Sequence, residues 1–265
     1  MAYKLMAVDI DGTLVNDNRE LTEKTKTAIQ KAVANGLIFT IATGRPISGV
    51  EHLIKELDID LPFITYNGAM VVKGKSREII YDRKLSAEDA RIIIDLGIKS
   101  DASVMVWKNN QLYVTRMDMR VDSYKAIGRC EPVLIENIDE TVEGGVSKVL
   151  WYHDTEAINT LKHTVGQYLS ENVNYYTSMP WFLEFNDKSA SKAIAIKSLC
   201  QYYGIDKSET IAVGDGYNDL SMIEYAGLGV AMGNAPDEIK KRADYVTLTN
   251  NEDGVAHVIY KFILN

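Results

Sequence analysis

Two cysteines, Cys130 and Cys200, are all that this chain of 265 residues carries. They lie far apart, with no partner at metal-knuckle or redox spacing. That excludes a disulfide framework, a zinc knuckle and a dithiol motif, and two reduced thiols suit a cytoplasmic protein. The four histidines, His52, His153, His163 and His257, show no zinc or catalytic spacing and read as surface or core side chains. Basic residues are in deficit, 29 Lys and Arg against 37 Asp and Glu, for a formal net charge of -8. This disfavours nucleic acid and anionic membranes as partners, because phosphate backbones are engaged by clustered Lys and Arg. Long apolar runs are missing as well. No segment approaches the roughly 20 residues that cross a bilayer, and Met1 to Lys4 lead at once into a strand-like run without a cleavage pattern. Repeats and low-complexity linkers are absent too. What is present is a globular composition, 46% apolar and 25% charged, with length for one large domain or two modest ones. A soluble, cytoplasmic monomer or homodimer is expected.

The order of elements is legible from periodicity. Lys4 to Ile10 reads as a short buried strand. Thr22 can N-cap a helix bearing Ala28, Ile29, Ala32 and Val33, and Gly36 stands where a left-handed C-terminal residue is expected. Leu37 to Ala42 forms a second strand ending at Thr43-Gly44-Arg45, and Pro46 suits the first turn of a helix with Leu53, Ile54 and Leu57. Phe63 to Tyr66 forms a third, ending at Asn67-Gly68. Strands alternating with helices predict a parallel sheet covered on both faces.

The pattern then changes. Val71-Val72 and Ile79-Ile80-Tyr81 flank a hairpin, and residues 86–184 read as helix, hairpin, helix, strand, helix and two strands. The hairpin turns at Asn109-Asn110, and this block holds Trp107, Trp151 and Trp181. Alternation resumes with a helix over about 190–203, a strand at 210–213, a helix at 218–226 and a short strand at 229–232. A helix after Pro236, a strand at 245–248 and a closing helix follow. The fold class is therefore α/β, a parallel-sheet core over 1–83 and 187–265 interrupted by an α+β insertion over 84–186.

Each core strand ends in a polar cluster, and in open parallel sheets the functional crevice lies outside the carboxyl ends of the strands. Strand one ends in Asp9-Ile10-Asp11-Gly12-Thr13, and a later strand in Gly214-Asp215-Gly216-Tyr217-Asn218-Asp219. Convergence on one edge gathers Asp9, Asp11, Asp215 and Asp219. Carboxylates so gathered repel unless a cation sits among them, and hard oxygen ligands suit Mg²⁺. Asp-x-Asp-Gly also opens a calcium loop of the EF-hand kind. Thr13 stands where that loop has Asp or Asn, and a strand rather than a helix precedes it. Thr43-Gly44-Arg45, Asn67-Gly68 and a lone Lys192 are each weak signals alone; their order and placement at strand ends join them.

These motifs resemble the haloacid dehalogenase superfamily, and within it the Cof-type (subclass IIB) phosphatases, which have a Rossmann-like core and an α/β cap of the C2B type. The resemblance runs over essentially the whole chain, including Asn251-Glu252-Asp253-Gly254-Val255-Ala256. It implies that Asp9 is a nucleophile forming an aspartyl-phosphate, and that Asp11 protonates the leaving alcohol and later activates water. The Asp11 main-chain carbonyl is implied as a metal ligand. Thr43 and Gly44 would bind the transferring phosphoryl group, with Arg45 and Asn67 as further phosphate or substrate ligands. Lys192, just inside a helix, would neutralise phosphate charge; it is preferred to Lys188, although Ala193 stands where the family has Gly. Asp215 would bind Mg²⁺ directly, Asp219 through water or from a second layer, and Asn218 would contact metal waters or phosphate.

Only 31 residues separate Asp11 from Thr43, too few for a cap there, so the insertion falls between Asn67 and Lys192. The implied activity is Mg²⁺-dependent hydrolysis of a small phosphorylated metabolite, foremost a sugar phosphate, with the cap setting the leaving group. A phosphomutase and a non-catalytic phosphorylation switch are the alternatives. Trp107, Trp151, Tyr175, Tyr176 and Trp181 read as cap core, Met6, Met222 and Met232 as core fillers, and Tyr217 as a pocket aromatic.

Overall fold

The computed structural model describes residues 3–58, 60–128 and 130–264. Met1 and Ala2, from which the expected lack of a leader begins, lie outside the described residues. In chain order the first elements are β1 (Leu5–Val8), α1 (Glu23–Ala34), β2 (Ile38–Ile41), α2 (Glu51–Leu57), β3 (Pro62–Thr65), β4 (Met70–Lys73) and β5 (Ile79–Asp82). Then come α3 (Ala87–Lys99), β6 (Ser103–Lys108), β7 (Gln111–Val114), α4 (Met119–Gly128), β8 (Pro132–Leu134) and α5 (Ile138–Val142). They are followed by β9 (Lys148–Tyr152), α6 (Thr155–Thr164), β10 (Val173–Met179) and β11 (Phe182–Asp187). The chain closes with α7 (Lys192–Tyr203), β12 (Thr210–Gly214), α8 (Leu220–Tyr225), β13 (Leu228–Ala231), α9 (Asp237–Lys240), β14 (Tyr245–Val246) and α10 (Gly254–Phe262). Among the described residues no helix is long and apolar enough to cross a membrane.

The chain divides into two compact units. The first comprises Met1–Gly44, Glu51–Tyr81 and Ser191–Asn265, and the second Arg45–Val50 and Asp82–Ala190. The second unit thus takes a few residues more at each end than the 84–186 expected, and it also takes the short segment after Thr43-Gly44.

The first unit is built on five parallel strands in the order β14-β13-β12-β1-β2. The residues of β1 are wholly buried, as a central parallel strand covered on both faces requires. From β1 the chain winds outward to β2; after α7 it returns at β12 and winds the opposite way to β13 and β14. The reversal falls between β1 and β12, where Val8 pairs with Val213, and this is the switch point at which such sheets open a crevice. Leu5, Ala7, Ala42, Ile196, Leu199, Ala212 and Met222 belong to one core cluster, and Met6 and Met232 are also fully buried. The expected cap of α1 is present, with Thr22 Oγ1 accepting the Thr25 amide.

One strand departs from expectation. β3 touches the parallel sheet through the single bridge Ala42 to Ile64 and otherwise pairs antiparallel with β4. The cause is local. Tyr66, Asn67 and Gly68 have φ of 52°, 55° and 98°, and three successive left-handed residues turn the chain back on itself. At Gly68 a side chain would strike the Ser191 carbonyl, so glycine is required there.

The second unit holds a six-stranded sheet, β10-β11-β9-β6-β7-β8, antiparallel except for β7 with β8. One face carries Val104, Val106, Val149, Trp151, Leu183 and Phe185 into a core with Ile93 and Ile94 of α3 and Ile158 of α6. Asn109 and Asn110, with φ of 49° and 61°, make the left-handed turn that a two-residue hairpin favours. β8 and α5 were not foreseen, because three and five residues are too few to show a period. Of the tryptophans, Trp107 and Trp151 are core, whereas Trp181 is exposed.

Candidate active site

The strand register brings the expected clusters to one edge. Asp9 follows β1 directly, and its amide donates to the Val213 carbonyl at 3.0 Å. The chain then closes a tight loop in which the Leu14 amide bonds the Asp9 and Ile10 carbonyls at 3.2 and 3.0 Å. Gly12, at φ 77°, lies so near that any side chain there would meet the Asp215 carboxylate. Glycine is what lets the two aspartate loops touch.

Lys192 is the centre of the arrangement. Ser191 Oγ accepts the Ile194 amide and starts α7, whose buried residues are Lys192, Ala195, Ile196, Leu199 and Cys200. This helical spacing puts the lysine on the inward stripe. Its Nζ donates to Asp9 Oδ1 at 2.6 Å and to Asp219 Oδ1 at 2.5 Å. Lys188, by contrast, is exposed in the second unit. Ser189 donates both its amide and its hydroxyl to Asp187 Oδ1.

Asp219 is engaged on both oxygens. Besides Lys192 on Oδ1, its Oδ2 accepts the Asp215 and Gly216 amides at 3.0 and 2.9 Å. It therefore shapes the turn that presents Asp215, whose Oδ1 accepts the Thr13 hydroxyl at 2.8 Å. Asn218 Nδ2 donates to Asn67 Oδ1 at 3.3 Å. The Asn67 amide bonds the Thr43 carbonyl at 2.9 Å, and the Thr43 amide bonds the Ile64 carbonyl at 3.0 Å. Gly44 abuts the Asn67 side chain. Asp9, Lys192, Asp215 and Asp219 thus form one bonded group in the first unit, and Thr43, Gly44, Asn67 and Asn218 form a second, the two meeting in the chain where Asn218 precedes Asp219. Asp11 lies in the same loop with its side chain exposed. Arg45 groups with the second unit, where it donates to the Gly49 carbonyl at 3.3 Å. Tyr217 is largely exposed and gives its hydroxyl to Glu238 at 2.9 Å.

Charge in this cluster is unbalanced. Carboxylate oxygens of Asp9, Asp215 and Asp219 lie within 4.8 Å of one another, with Lys192 as their lysine. Burial, with the Asp219 charge next, pushes the Asp9 carboxyl up to about 8 against the pull of Lys192. Burial likewise pushes Asp215 up to about 6. Lys192 is drawn down by burial, yet the Asp219 and Asp9 charges outweigh this and hold it firmly charged. A divalent cation would relieve that excess. Asp219 already accepts on both oxygens, three bonds in all, so Asp9 and Asp215 are the side chains that fit the cation best, and hard carboxylate oxygens suit Mg²⁺.

Several supporting residues escape motif reading. Thr13 orients Asp215. Asn234 Nδ2 donates to the Gly12 carbonyl at 2.8 Å. Asn250 and Asn251 hold Asp17 across 233 and 234 positions of sequence. Asn234 follows β13 as Thr43 follows β2, and that strand-end position was the signal available for it.

A buried lysine–aspartate cluster at the switch point of a parallel sheet suits the handling of a phosphate group and a cation, and comparison with known proteins gives the class. The family model for haloacid dehalogenase-like hydrolases matches residues 6–259. YxeH of Bacillus subtilis, named as a candidate phosphatase, is 34% identical over 99% of each chain. A haloacid dehalogenase-like hydrolase from Bacteroides thetaiotaomicron has a solved structure with TM-score 0.89 at 31% identity, covering 98% of this chain and 99% of that one. A sugar phosphatase of haloacid dehalogenase subclass IIB matches with TM-score 0.82 at 28% identity over 98% of each chain. The chain belongs to the haloacid dehalogenase-like hydrolase family and is an enzyme of its phosphatase branch.

Proposed function

We propose that this protein is a cytoplasmic, Mg²⁺-dependent phosphatase that hydrolyses small phosphate monoesters, foremost sugar phosphates, through an aspartyl-phosphate on Asp9. The observation that carries the reading is the Lys192 bridge between Asp9 and Asp219 beside Asp215, at the carboxyl end of β1. The sugar-phosphate preference draws on the subclass IIB sugar phosphatase it resembles. The acidic surface, net -8, suits a small ester better than a polyanion.

Asp9, Asp215 and the Asp11 carbonyl oxygen would hold Mg²⁺, whose chemistry when bound is to screen phosphate charge from the attacking carboxylate. With one oxygen held by Lys192, the other oxygen of Asp9 is positioned to bond phosphorus. Lys192 stays protonated and balances the charge that gathers on the phosphoryl oxygens. The Thr43 hydroxyl and Gly44 amide would grip those oxygens, with Asn67 and Asn218 fixing the neighbouring loop. Asp11, exposed at the loop, would give its proton to the leaving oxygen and then take one from the water that opens the acyl-phosphate.

The test is phosphate release from a panel of phosphorylated metabolites, with and without Mg²⁺. Metal-dependent turnover is expected, strongest on sugar phosphates, and Asp9→Asn should cut it by about 10³-fold or more, as losing a nucleophile does elsewhere. Undiminished turnover in Asp9→Asn removes the aspartyl-phosphate route.

A further inference from the structure

The loop after Asp9 is clamped from a part of the chain that carries none of the motif residues. Asn234, between β13 and α9, donates from Nδ2 to the Gly12 carbonyl at 2.8 Å, while its Oδ1 accepts the Asn250 amide at 3.0 Å. Asn250 donates from Nδ2 to the Val15 carbonyl at 3.2 Å and to Asp17 Oδ1 at 3.0 Å. Within the loop, the Thr13 and Leu14 amides bond the Ile10 carbonyl at 3.3 and 3.0 Å. Between the inner turn and the outer clamp lie Asp11, exposed, and Gly12 at φ 77°. Glycine adopts that conformation easily and leaves it easily, so the direction of the Asp11 carboxyl depends on what holds the Gly12 peptide. Among the described residues the Asn234 amide is a side chain that holds its carbonyl.

We propose that Asn234 is a positioning residue for Asp11: by fixing the Gly12 carbonyl it aims the carboxyl group that protonates the leaving oxygen. The inference rests on the phosphatase reading above. In the first step an Asp9 oxygen bonds phosphorus, the bond from phosphorus to the ester oxygen breaks, and that oxygen departs as an alcohol with the Asp11 proton. In the second, water bonds phosphorus and gives a proton to Asp11, while the acyl-phosphate bond breaks and restores the Asp9 carboxylate. A residue that merely staples two loops together would affect every substrate alike. A residue that aims the acid matters more as the leaving group becomes more basic, because only such a group depends on receiving the proton.

The experiment compares wild type, Asn234→Ala, Asn234→Gln and Asp11→Asn on p-nitrophenyl phosphate and on glycerol phosphate, with melting temperatures measured alongside. In Asn234→Ala the ratio of kcat on glycerol phosphate to kcat on p-nitrophenyl phosphate should fall about tenfold, a fraction of the 10²–10⁴ that a positioned acid contributes. Asp11→Asn should shift the ratio the same way and further, and Asn234→Gln, which keeps an amide donor, should recover part of it. An equal fall on both substrates, or no fall, overturns the positioning role. A wild-type protein inert on both esters overturns the phosphatase reading, and the positioning role with it.

Discussion

Each unit buries a lysine against carboxylates, and the two sites are built differently. In the second unit Lys148 Nζ donates to Glu184 Oε2 at 3.0 Å, and Ser178 gives its hydroxyl to Glu184 Oε1 at 2.6 Å. Both charged groups are almost wholly buried. In the first unit Lys192 serves Asp9 and Asp219 together, with Asp215 within ligand distance of both. One arrangement matches charge with charge, and the other leaves an acidic surplus. A matched buried pair is a closed structural unit whose desolvation roughly offsets its attraction. A surplus in the same kind of environment raises acid pKa values and calls for a cation, and such clusters concentrate at functional sites.

The comparison breaks most visibly at the lysines. Lys192→Met should lower turnover by about 10²–10³-fold, the usual cost of removing a charge-stabilising donor. It should also destabilise the fold by about 3–5 kcal/mol, since two buried carboxylates lose their partner. Lys148→Met should show a stability loss of the same order in urea unfolding. Adding Glu184→Leu to Lys148→Met should then return stability to near wild type, because a buried pair can be replaced by apolar side chains of similar volume. If the double change stays as unstable as the single one, Lys148 and Glu184 are not the closed pair described here.

A smaller effect concerns pH. Below about pH 4 the folded and unfolded chains both keep the Asp9 proton, whereas between there and about 8 the folded chain keeps a proton the unfolded one has lost. In metal-free protein the Asp9 contribution to stability therefore declines as pH rises across that window, with Asp215 adding to it up to about 6. Because a metal displaces these protons, Mg²⁺ affinity should climb from pH 6 to 8 with proton release on binding. Calorimetry in two buffers of different ionisation heat measures both. An affinity flat over that range would mean that Asp9 and Asp215 already ionise without the metal.

Much of this was readable in one dimension. Asp9, Asp11, Thr43, Lys192 and Asp215 stand at strand ends or a helix start, where alternation of β and α makes position along the chain equivalent to position at the sheet edge. The helix cap at Thr22 was readable because capping is local. What escaped was either too short or too distant. β8 and α5 lack the residues to show a period, and β3 was misplaced because Tyr66 and Asn67, non-glycine residues for which left-handed φ is uncommon, adopt it beside Gly68. Asn234 and Asn250 act across 222 and 235 positions, a reach that no spacing rule covers.

The sequence by itself determined the kinds of element, their order, the family and the acidic character of the site, because hydrophobic period, caps and strand-end motifs are properties of neighbouring residues. Only the tertiary structure decided which carboxylates remain available. It shared Lys192 between Asp9 and Asp219, gave Asp219 two backbone amides besides, left Asp9 and Asp215 as the side chains that fit a cation, and placed Asn234 on the loop of Asp11. Hydrogen-bond saturation and burial depend on what folding brings within 3 Å or so, and that is set by the whole chain at once.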